Sequence, residues 1–230
     1  MILIVLKKKP FEEILKMIQG HKKILVVGCN GCAGIYQVGG EKQAEIMGML
    51  LEMATKLKGV DIDAKAITTL RQCDRQIVAT TINPLIDDYD GIISMACGVG
   101  IQTLADVFEN KVIIPANDTK FIGMQDSESG KFYEFCSACG ECILFETAGI
   151  CPITRCAKGL LNGPCGGCFD GKCEVPIDVR DDNGKVIQTL DQDCAWYMIY
   201  DRLKRASKIN LFRKYRPPKK RAISGSPRQL

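Results

Sequence analysis

The sequence predicts an α/β protein whose parallel-sheet, flavodoxin-like N-terminal domain is followed by a small cysteine-rich domain stabilised by metal and by a basic extended tail. Three observations predict this organisation. Residues 22–135 alternate short apolar runs with segments of helical periodicity, which is typical of βαβ units. Nine of the 13 cysteines fall within residues 136–194, a density above that of ordinary domains. Residues 202–230 contain 11 Lys or Arg and no Asp or Glu. We place the domains at residues 1–130, 131–210 and 211–230.

The elements of the first domain follow from local pattern. A short helix is expected over residues 11–18, and the first strand, over 23–28, is rich in β-branched residues and ends in glycine. The next helix is the clearest, because its apolar residues follow the helical period of about 3.6: Ala44, Met47, Leu50, Leu51, Ala54 and Leu57. The remaining predicted strands cover residues 62–70, 91–96 and 112–115. The clearest helix covers residues 41–58, and the other two predicted helices cover residues 75–81 and 101–108.

The pattern changes after the polar run 125–130. Glycine, proline and cysteine replace the periodic apolar residues from Glu134 onward, and a segment so poor in core-forming side chains needs metal to fold at this size. Helical spacing returns over residues 193–209, where Trp196, Ile199 and Leu203 share one face.

Composition excludes several classes of function. A membrane span needs about 20 consecutive apolar residues, and the N-terminal apolar run ends at Leu6, so we expect a cytoplasmic protein. The single histidine, His21, argues against histidine-based zinc catalysis and against Ser-His-Asp or Cys-His chemistry. Residues 1–201 carry 20 basic and 27 acidic side chains, so the body is acidic while the tail is basic.

Four cysteines of the first domain follow predicted strands. Cys29 and Cys32 follow the first strand of the parallel sheet, Cys73 the second and Cys97 the third. Loops at the carboxyl ends of parallel strands meet at one edge, where such sheets bind ligands. Four thiolates suit a 4Fe–4S cluster or a tetrahedral zinc, and we favour the cluster. Buried structural thiols and a dinucleotide site are the alternatives, although the glycine spacing is not that of the Gly-x-Gly-x-x-Gly fingerprint.

The second domain contains two cysteine triads, and each needs one more ligand. The first is Cys136, Cys139 and Cys142, and the second is Cys165, Cys168 and Cys173. Eight ligands would make two four-thiolate sites and leave one cysteine over, and either two 4Fe–4S clusters or one cluster and one zinc satisfy the count. The spacing does not decide between Cys151, Cys156 and Cys194 for the two vacant positions. The nine candidate ligands are Cys136, Cys139, Cys142, Cys151, Cys156, Cys165, Cys168, Cys173 and Cys194.

Two segments carry a resemblance to a known family. Residues 149–175, which include Gly-Pro-Cys-Gly-Gly, and residues 193–204 resemble the C-terminal domain family of methylenetetrahydrofolate reductases, found as the separate MetV-type subunit in acetogens and related anaerobes. The resemblance implies a partner, the flavin-bearing catalytic subunit that reduces methylenetetrahydrofolate to methyltetrahydrofolate. It also implies a role in one-carbon metabolism, in the Wood–Ljungdahl pathway. Because the family is often described as zinc-binding in this region, zinc stays an alternative to a cluster here.

The reductase chemistry belongs to a flavin-bearing barrel of about 250 residues, whereas only residues 22–135 here have an α/β pattern and no flavin-binding signature appears. We therefore expect a non-catalytic electron-transfer subunit with two or three 4Fe–4S clusters, or with zinc in place of one. The alternatives are a stand-alone ferredoxin-like carrier and a zinc-ribbon protein that binds nucleic acid; the acidic body argues against the latter. The basic tail is predicted to be a docking arm for the flavoprotein or a further electron-donating subunit, burying Leu211, Phe212 and Tyr215 against it.

Overall fold

A computed structural model describes residues 3–57, 59, 61–180 and 184–218 of the chain. The chain divides into two compact units, Met1–Gly123 and Met124–Leu230. The last part of the predicted tail, residues 219–230, lies outside the described residues. Within the described part, no helix is long and apolar enough to cross a membrane.

The first unit contains most of the regular structure. Its strands are β1 (Leu3–Lys8), β2 (Lys23–Cys29), β3 (Asp63–Thr69), β4 (Gly91–Ser94), β5 (Val112–Pro115) and β6 (Asn117–Asp126), of which β6 continues past Gly123 into the second unit. Its helices are α1 (Phe11–Met17), α2 (Cys32–Ile35), α3 (Glu41–Leu57), α4 (Arg75–Ile82) and α5 (Gly98–Val107). The four predicted strands and four predicted helices are confirmed to within a few residues.

The central sheet has four parallel strands in the order β3-β2-β4-β5. Counted within this sheet the order is 2-1-3-4, the order of the first four strands of a flavodoxin-like sheet. The strand order reverses between β2 and β4, and ligands of such sheets bind outside the carboxyl ends of the strands at this switch point. The predicted parallel α/β fold is therefore confirmed for the first unit.

Both faces of the sheet are covered. Ile24 and Val26 of β2 pack with α1 and α3 on one face, while Leu25 and Val27 pack with α4 and α5 on the other. All four side chains are fully buried. This near-continuous apolar strand is what a parallel sheet with helices on both sides requires.

One strand pair was not predicted. β1 pairs antiparallel with β6, from Leu3 opposite Gly123 to Lys8 opposite Asn117, with an irregularity after Val5. The β6 segment is mostly polar and half exposed, so it lacks the apolar alternation by which a strand is recognised.

The second unit has little regular structure. Its elements are β7 (Lys131–Cys136), α6 (Pro152–Arg155), β8 (Cys168–Phe169), β9 (Lys172–Cys173), β10 (Ile177–Arg180), β11 (Val186–Leu190) and α7 (Ala195–Arg205). The pairs β8–β9 and β10–β11 are antiparallel. The predicted closing helix is confirmed as α7, and its buried side chains Trp196, Ile199 and Leu203 form a small apolar cluster with Ile150.

The structure corrects the prediction of an extended tail over residues 211–216. A short 3₁₀ turn spans Ile209–Arg213, and Leu211 and Phe212 pack against the apolar cluster of α7. Arg216 is only 4 % exposed, whereas Tyr215 remains exposed. The prediction that Leu211 and Phe212 wait to be buried by a partner is therefore wrong, because their own unit already covers them.

Candidate metal centres

The thiol of Cys29 lies at the switch point of the central sheet. Cys29 is the last residue of β2 and is 7 % exposed. Burial raises the pKa of its thiol; the backbone N–H groups of Gln72 and Gly31, which donate to the sulfur, act in the opposite direction, and the neighbouring Cys97 and Cys73 raise the pKa further. The structure thus brings Cys29, Cys73 and Cys97 within electrostatic range of one another.

The other thiols of this group occupy element ends. Cys32 is the first residue of α2, and Cys97 is the residue that precedes α5. Cys97 packs beside Cys29 in an apolar cluster with Leu6 and Ala96. Cys73 is exposed. The expected placement of all four cysteines at the carboxyl ends of strands is therefore observed.

A buried polar side chain that sequence reasoning missed organises this edge. Gln72 is fully buried, and its Nε2 donates to the carbonyl oxygens of Val27 at 2.8 Å and Gly28 at 3.1 Å. The hydroxyl of Ser94 donates to Gln72 Oε1 at 2.6 Å. Gln72 therefore ties the Cys73 loop to β2 and β4. A glutamine in a polar loop gives no sequence signal of this burial.

In the second unit, four of the nine cysteines line one cavity. Cys136, Cys139, Cys142 and Cys151 surround a cavity of about 250 Å³ together with apolar side chains that include Phe135. The N–H of Ala138 donates to Cys136 Sγ at 3.3 Å. The Arg155 guanidinium stacks over the Phe135 ring at 4.8 Å from its centroid.

A second group forms around the β8–β9 hairpin. Cys168 and Cys173 are direct partners across this hairpin, and Cys194 precedes α7. Burial raises the pKa of the Cys168 thiol, and hydrogen bonding to Cys194 and the charges of Cys194 and Cys173 raise it further, while the Gly171 N–H lowers it. Cys165 belongs to the same Cys-x-x-Cys segment, and its sulfur accepts the N–H of Gly167 at 3.4 Å.

Cys156 packs in the same apolar cluster as the second group of cysteines. It follows α6 and contacts the cluster of Ile150 and Trp196, to which Cys168, Cys173 and Cys194 also belong. Cys151 instead lines the cavity formed with Cys136, Cys139 and Cys142. The structure thus distinguishes Cys151 from the other two candidates and leaves Cys156 and Cys194 both beside the second group.

The donor atoms suit thiolate-bound metal. In three of the four Cys-x-x-Cys segments the sulfur of the first cysteine, Cys29, Cys136 or Cys165, accepts the N–H of the residue two positions later. In the fourth, the Cys139 thiol donates to the Glu141 carbonyl at 3.6 Å. Such N–H···S bonds favour the charged thiolate and tune a bound metal. Among the described residues, no group of three or more Cys, His, Asp or Glu is closed tightly enough to hold an ion as it stands, so the ligand sets remain predictions.

A close contact explains part of the Gly-Pro-Cys-Gly-Gly motif. A Cβ on Gly163 would lie 2.3 Å from Cγ of Trp196, and the Trp196 indole donates to the Leu160 carbonyl at 2.9 Å. Only glycine leaves room for the buried indole at this position. The motif therefore places the Cys165 loop against α7.

These features define a cysteine-rich protein in which a doubly wound α/β unit precedes a small unit that contains two groups of cysteines. Residues 114–222, just under half of the chain, match the family described as methylene-tetrahydrofolate reductase C terminal. The resemblance recognised in the sequence is thereby confirmed, and the family points to a subunit of a methylenetetrahydrofolate reductase-related complex.

Other comparisons add little. No curated protein matches the chain. Among solved structures, an extracellular ligand-binding receptor from Verminephrobacter eiseniae ef01-2 is similar at 16 % identity and a TM-score of 0.33, over 46 % of this chain and 28 % of that one. The chain thus spans just over a quarter of that receptor.

Proposed function

We propose that this protein is an iron–sulfur electron-transfer subunit of a methylenetetrahydrofolate reductase complex, which delivers electrons towards a flavin-bearing catalytic partner. The observation that carries the proposal is the match of residues 114–222 to the reductase C-terminal family. The groups of neighbouring cysteines described above support it, because cysteine thiolates bind redox-active iron–sulfur clusters.

The proposal assigns three ligand sets. Cys29, Cys32, Cys73 and Cys97 would hold one 4Fe–4S cluster at the switch point, and the cysteines that line the 250 Å³ cavity would hold a second. Cys165, Cys168, Cys173 and Cys194 would hold a third cluster or a zinc. A bound 4Fe–4S cluster would supply one-electron transfer. Zinc has no redox chemistry and would only stabilise the fold.

The chain's own residues contribute the environment of these sites. The N–H groups of Gly31 and Gln72 offset the effect of burial on the Cys29 sulfur, so they favour the thiolate that a metal requires. Leu6, Ala33 and Ala96 keep water from one side of Cys29, since all three are at most 3 % exposed. A low-dielectric shell of this kind controls solvent access and redox potential.

The proposal places flavin and folate on a partner rather than on this chain. The four-stranded sheet of the first unit is not the eight-stranded barrel that would bind them. Co-expression with the flavoprotein should give a complex, and reduced chain should reduce the partner's flavin under anaerobic conditions. A chain with a full iron content that neither binds the flavoprotein nor reduces its flavin would favour the stand-alone carrier.

Iron, zinc and acid-labile sulfide per chain, measured on anaerobic protein, test the ligand sets. Cys97→Ser, Cys151→Ser and Cys194→Ser should each lose the metal of one set and leave the others loaded. Cys156→Ser is the comparison variant, because the proposed sets leave Cys156 as the ninth cysteine, and it should keep its full metal content. Loss of metal in the Cys156 variant, with none in the Cys151 or Cys194 variant, would reverse the assignment.

A further inference from the structure

Helix α3 is apolar on two opposite sides. Its inner side packs on the sheet through the buried residues Ala44, Gly48, Leu51 and Thr55. Its opposite side carries five large apolar side chains that are exposed. We call these five the outer face of α3: Ile46 at 53 %, Met49 at 61 %, Leu50 at 43 %, Met53 at 62 % and Leu57 at 88 % exposure.

The spacing shows that the outer face is continuous. Each of its residues has another of the set three or four positions away, which places them on one side of a helix with about 3.6 residues per turn. A surface helix of a globular protein normally turns polar side chains to solvent. Contiguous exposed apolar patches of several hundred Å² mark interaction sites, so the outer face requires a partner.

We propose that the outer face of α3 packs against the same face of a second copy of this chain, with the two helices antiparallel. A two-fold axis between Leu51 and Glu52 would place Ile46 level with Leu57 of the second copy and Leu50 level with its Met53. These pairs use four of the five residues of the outer face in both copies, and the fifth, Met49, is level with Ala54 of the second copy. Such an isologous contact is the commonest arrangement of soluble homodimers.

The charges beside the outer face support this occupant. Glu45 and Lys56 are both exposed and lie on the same flank of α3. Within the described part of the chain neither forms a salt bridge. In the antiparallel pair, Glu45 of one copy comes within two residues, or about 3 Å along the axis, of the position level with Lys56 of the other, and the two-fold axis creates this ion pair twice.

A parallel pair would not produce these ion pairs. In parallel helices the flank that carries Glu45 meets the opposite flank of the second copy. That flank of α3 carries Gln43 and Ala54 and no charge. The charge pattern therefore selects the antiparallel arrangement, and it offers a direct test of self-pairing.

The test measures the oligomeric state of the full chain, prepared anaerobically with its metals, by sedimentation over about 1–100 µM. The unmodified chain should be a dimer in the upper part of this range. Met53→Glu should make it a monomer throughout, since it would bury a carboxylate in the contact. Val112→Glu, a matched change at an exposed apolar residue of β5 that is 50 % exposed, should leave the dimer intact.

Charge reversal separates self-pairing from any other occupant. Glu45→Lys and Lys56→Glu should each weaken the dimer by about tenfold, because two ion pairs become two repulsions. The double variant should restore the original affinity, since each of the two pairs would again join a lysine to a glutamate, with the charges exchanged between the two positions. A chain that is monomeric up to the highest concentration, or a double variant that stays weakened, would overturn the proposal and indicate a different protein as the occupant.

Discussion

Arg216 joins the segment after α7 to the rest of the second unit. Its Nε donates to Glu146 Oε2 at 3.1 Å, and its Nη2 donates to the carbonyl oxygens of Glu146 at 3.1 Å and Leu211 at 3.0 Å. Its guanidinium also stacks on Trp196, 5.5 Å from the ring centroid. A nearly buried guanidinium with this many partners is a structural residue rather than part of a mobile basic arm.

Replacing Arg216 by Ala should destabilise the second unit by about 1–3 kcal/mol, because the Glu146 carbonyl loses its donor while the partly exposed Glu146 carboxylate keeps Lys214 as a partner. Chemical denaturation followed by the emission of Trp196 measures this change. Arg213→Ala is the matched control, since Arg213 is exposed and the change should have almost no effect. Equal stability of the two variants would show that the contacts of Arg216 contribute little.

Lys9 provides a pH-dependent contribution to stability in the first unit. Its Nζ lies 2.7 Å from Glu13 Oε1 and 2.9 Å from Asp118 Oδ1. The hydrogen bonds to Glu13 and Asp118 raise the pKa of Lys9 above 10.5, and the bond to Lys9 lowers the pKa of Asp118 below 3.8.

The stability difference between the unmodified chain and Lys9→Met should therefore depend on pH at both ends. A depressed carboxyl pKa contributes stability above pH 3.8 that is lost as the pH falls through the lowered value. A raised lysine pKa contributes stability below pH 10.5 that is lost as the pH rises through the raised value. The stability difference should be constant near neutral pH and become smaller at both extremes of pH. Thermal denaturation of both proteins across this pH range measures it. A difference that does not change with pH would show that these ion pairs do not contribute to stability.

At the scale of elements, the regular part of the first unit was predictable because its local and global patterns agree. The buried run of β2 and the helical period of α3 are each specified by neighbouring residues. The pair β1–β6 was not predictable, since its partners are more than 100 residues apart and β6 lacks apolar alternation. The expectation that Leu50 and Leu57 share the buried apolar side of α3 is wrong, since they lie on the opposite side and are 43 % and 88 % exposed.

The junction of β2, β4 and the Cys73 loop depends on Gln72, and this dependence can be tested. Gln72→Leu keeps approximate volume but leaves the buried Ser94 hydroxyl without its acceptor, which should cost about 1–3 kcal/mol. The Val27 and Gly28 carbonyls each lose one donor and keep Met95 N–H and the Thr69 hydroxyl. We expect the variant to lose the metal of the first-unit cysteines while the second unit stays loaded.

Iron per chain and the melting temperature together measure this outcome. Gln102→Leu is the matched control: Gln102 is exposed and its amide donates only to Gly98 within α5 at 3.0 Å. Full metal content in the Gln72 variant would mean that Cys73 is positioned without this side chain.

At the scale of the whole chain, the two units differ in how much of their stability can come from apolar packing. The first unit has two extended clusters on the faces of its sheet, whereas the second has one small cluster around Trp196. Sequence composition predicted this contrast correctly. The grouping of cysteines within the second unit was not predictable, since it depends on which loops α7 and the β8–β9 hairpin bring together.

Removal of metal should therefore affect the units unequally. Thiolate coordination contributes on the order of 10 kcal/mol per structural site in zinc peptides, so chelation should make residues from about 124 onward sensitive to protease while the first unit persists. Limited proteolysis with mass spectrometry of the fragments measures this. A second unit that stays protected after complete loss of metal would show that its apolar cluster suffices.

Trp196 is the single tryptophan of the chain, and it lies two positions after Cys194, beside Cys168 in a cavity of about 320 Å³. Its fluorescence therefore originates from one known point, within range of any group that those thiols bind. An iron–sulfur cluster absorbs across the indole emission band and would quench it by energy transfer, whereas zinc would leave it bright. The intrinsic fluorescence of Trp196 therefore reports, without any added label, which metal occupies that site.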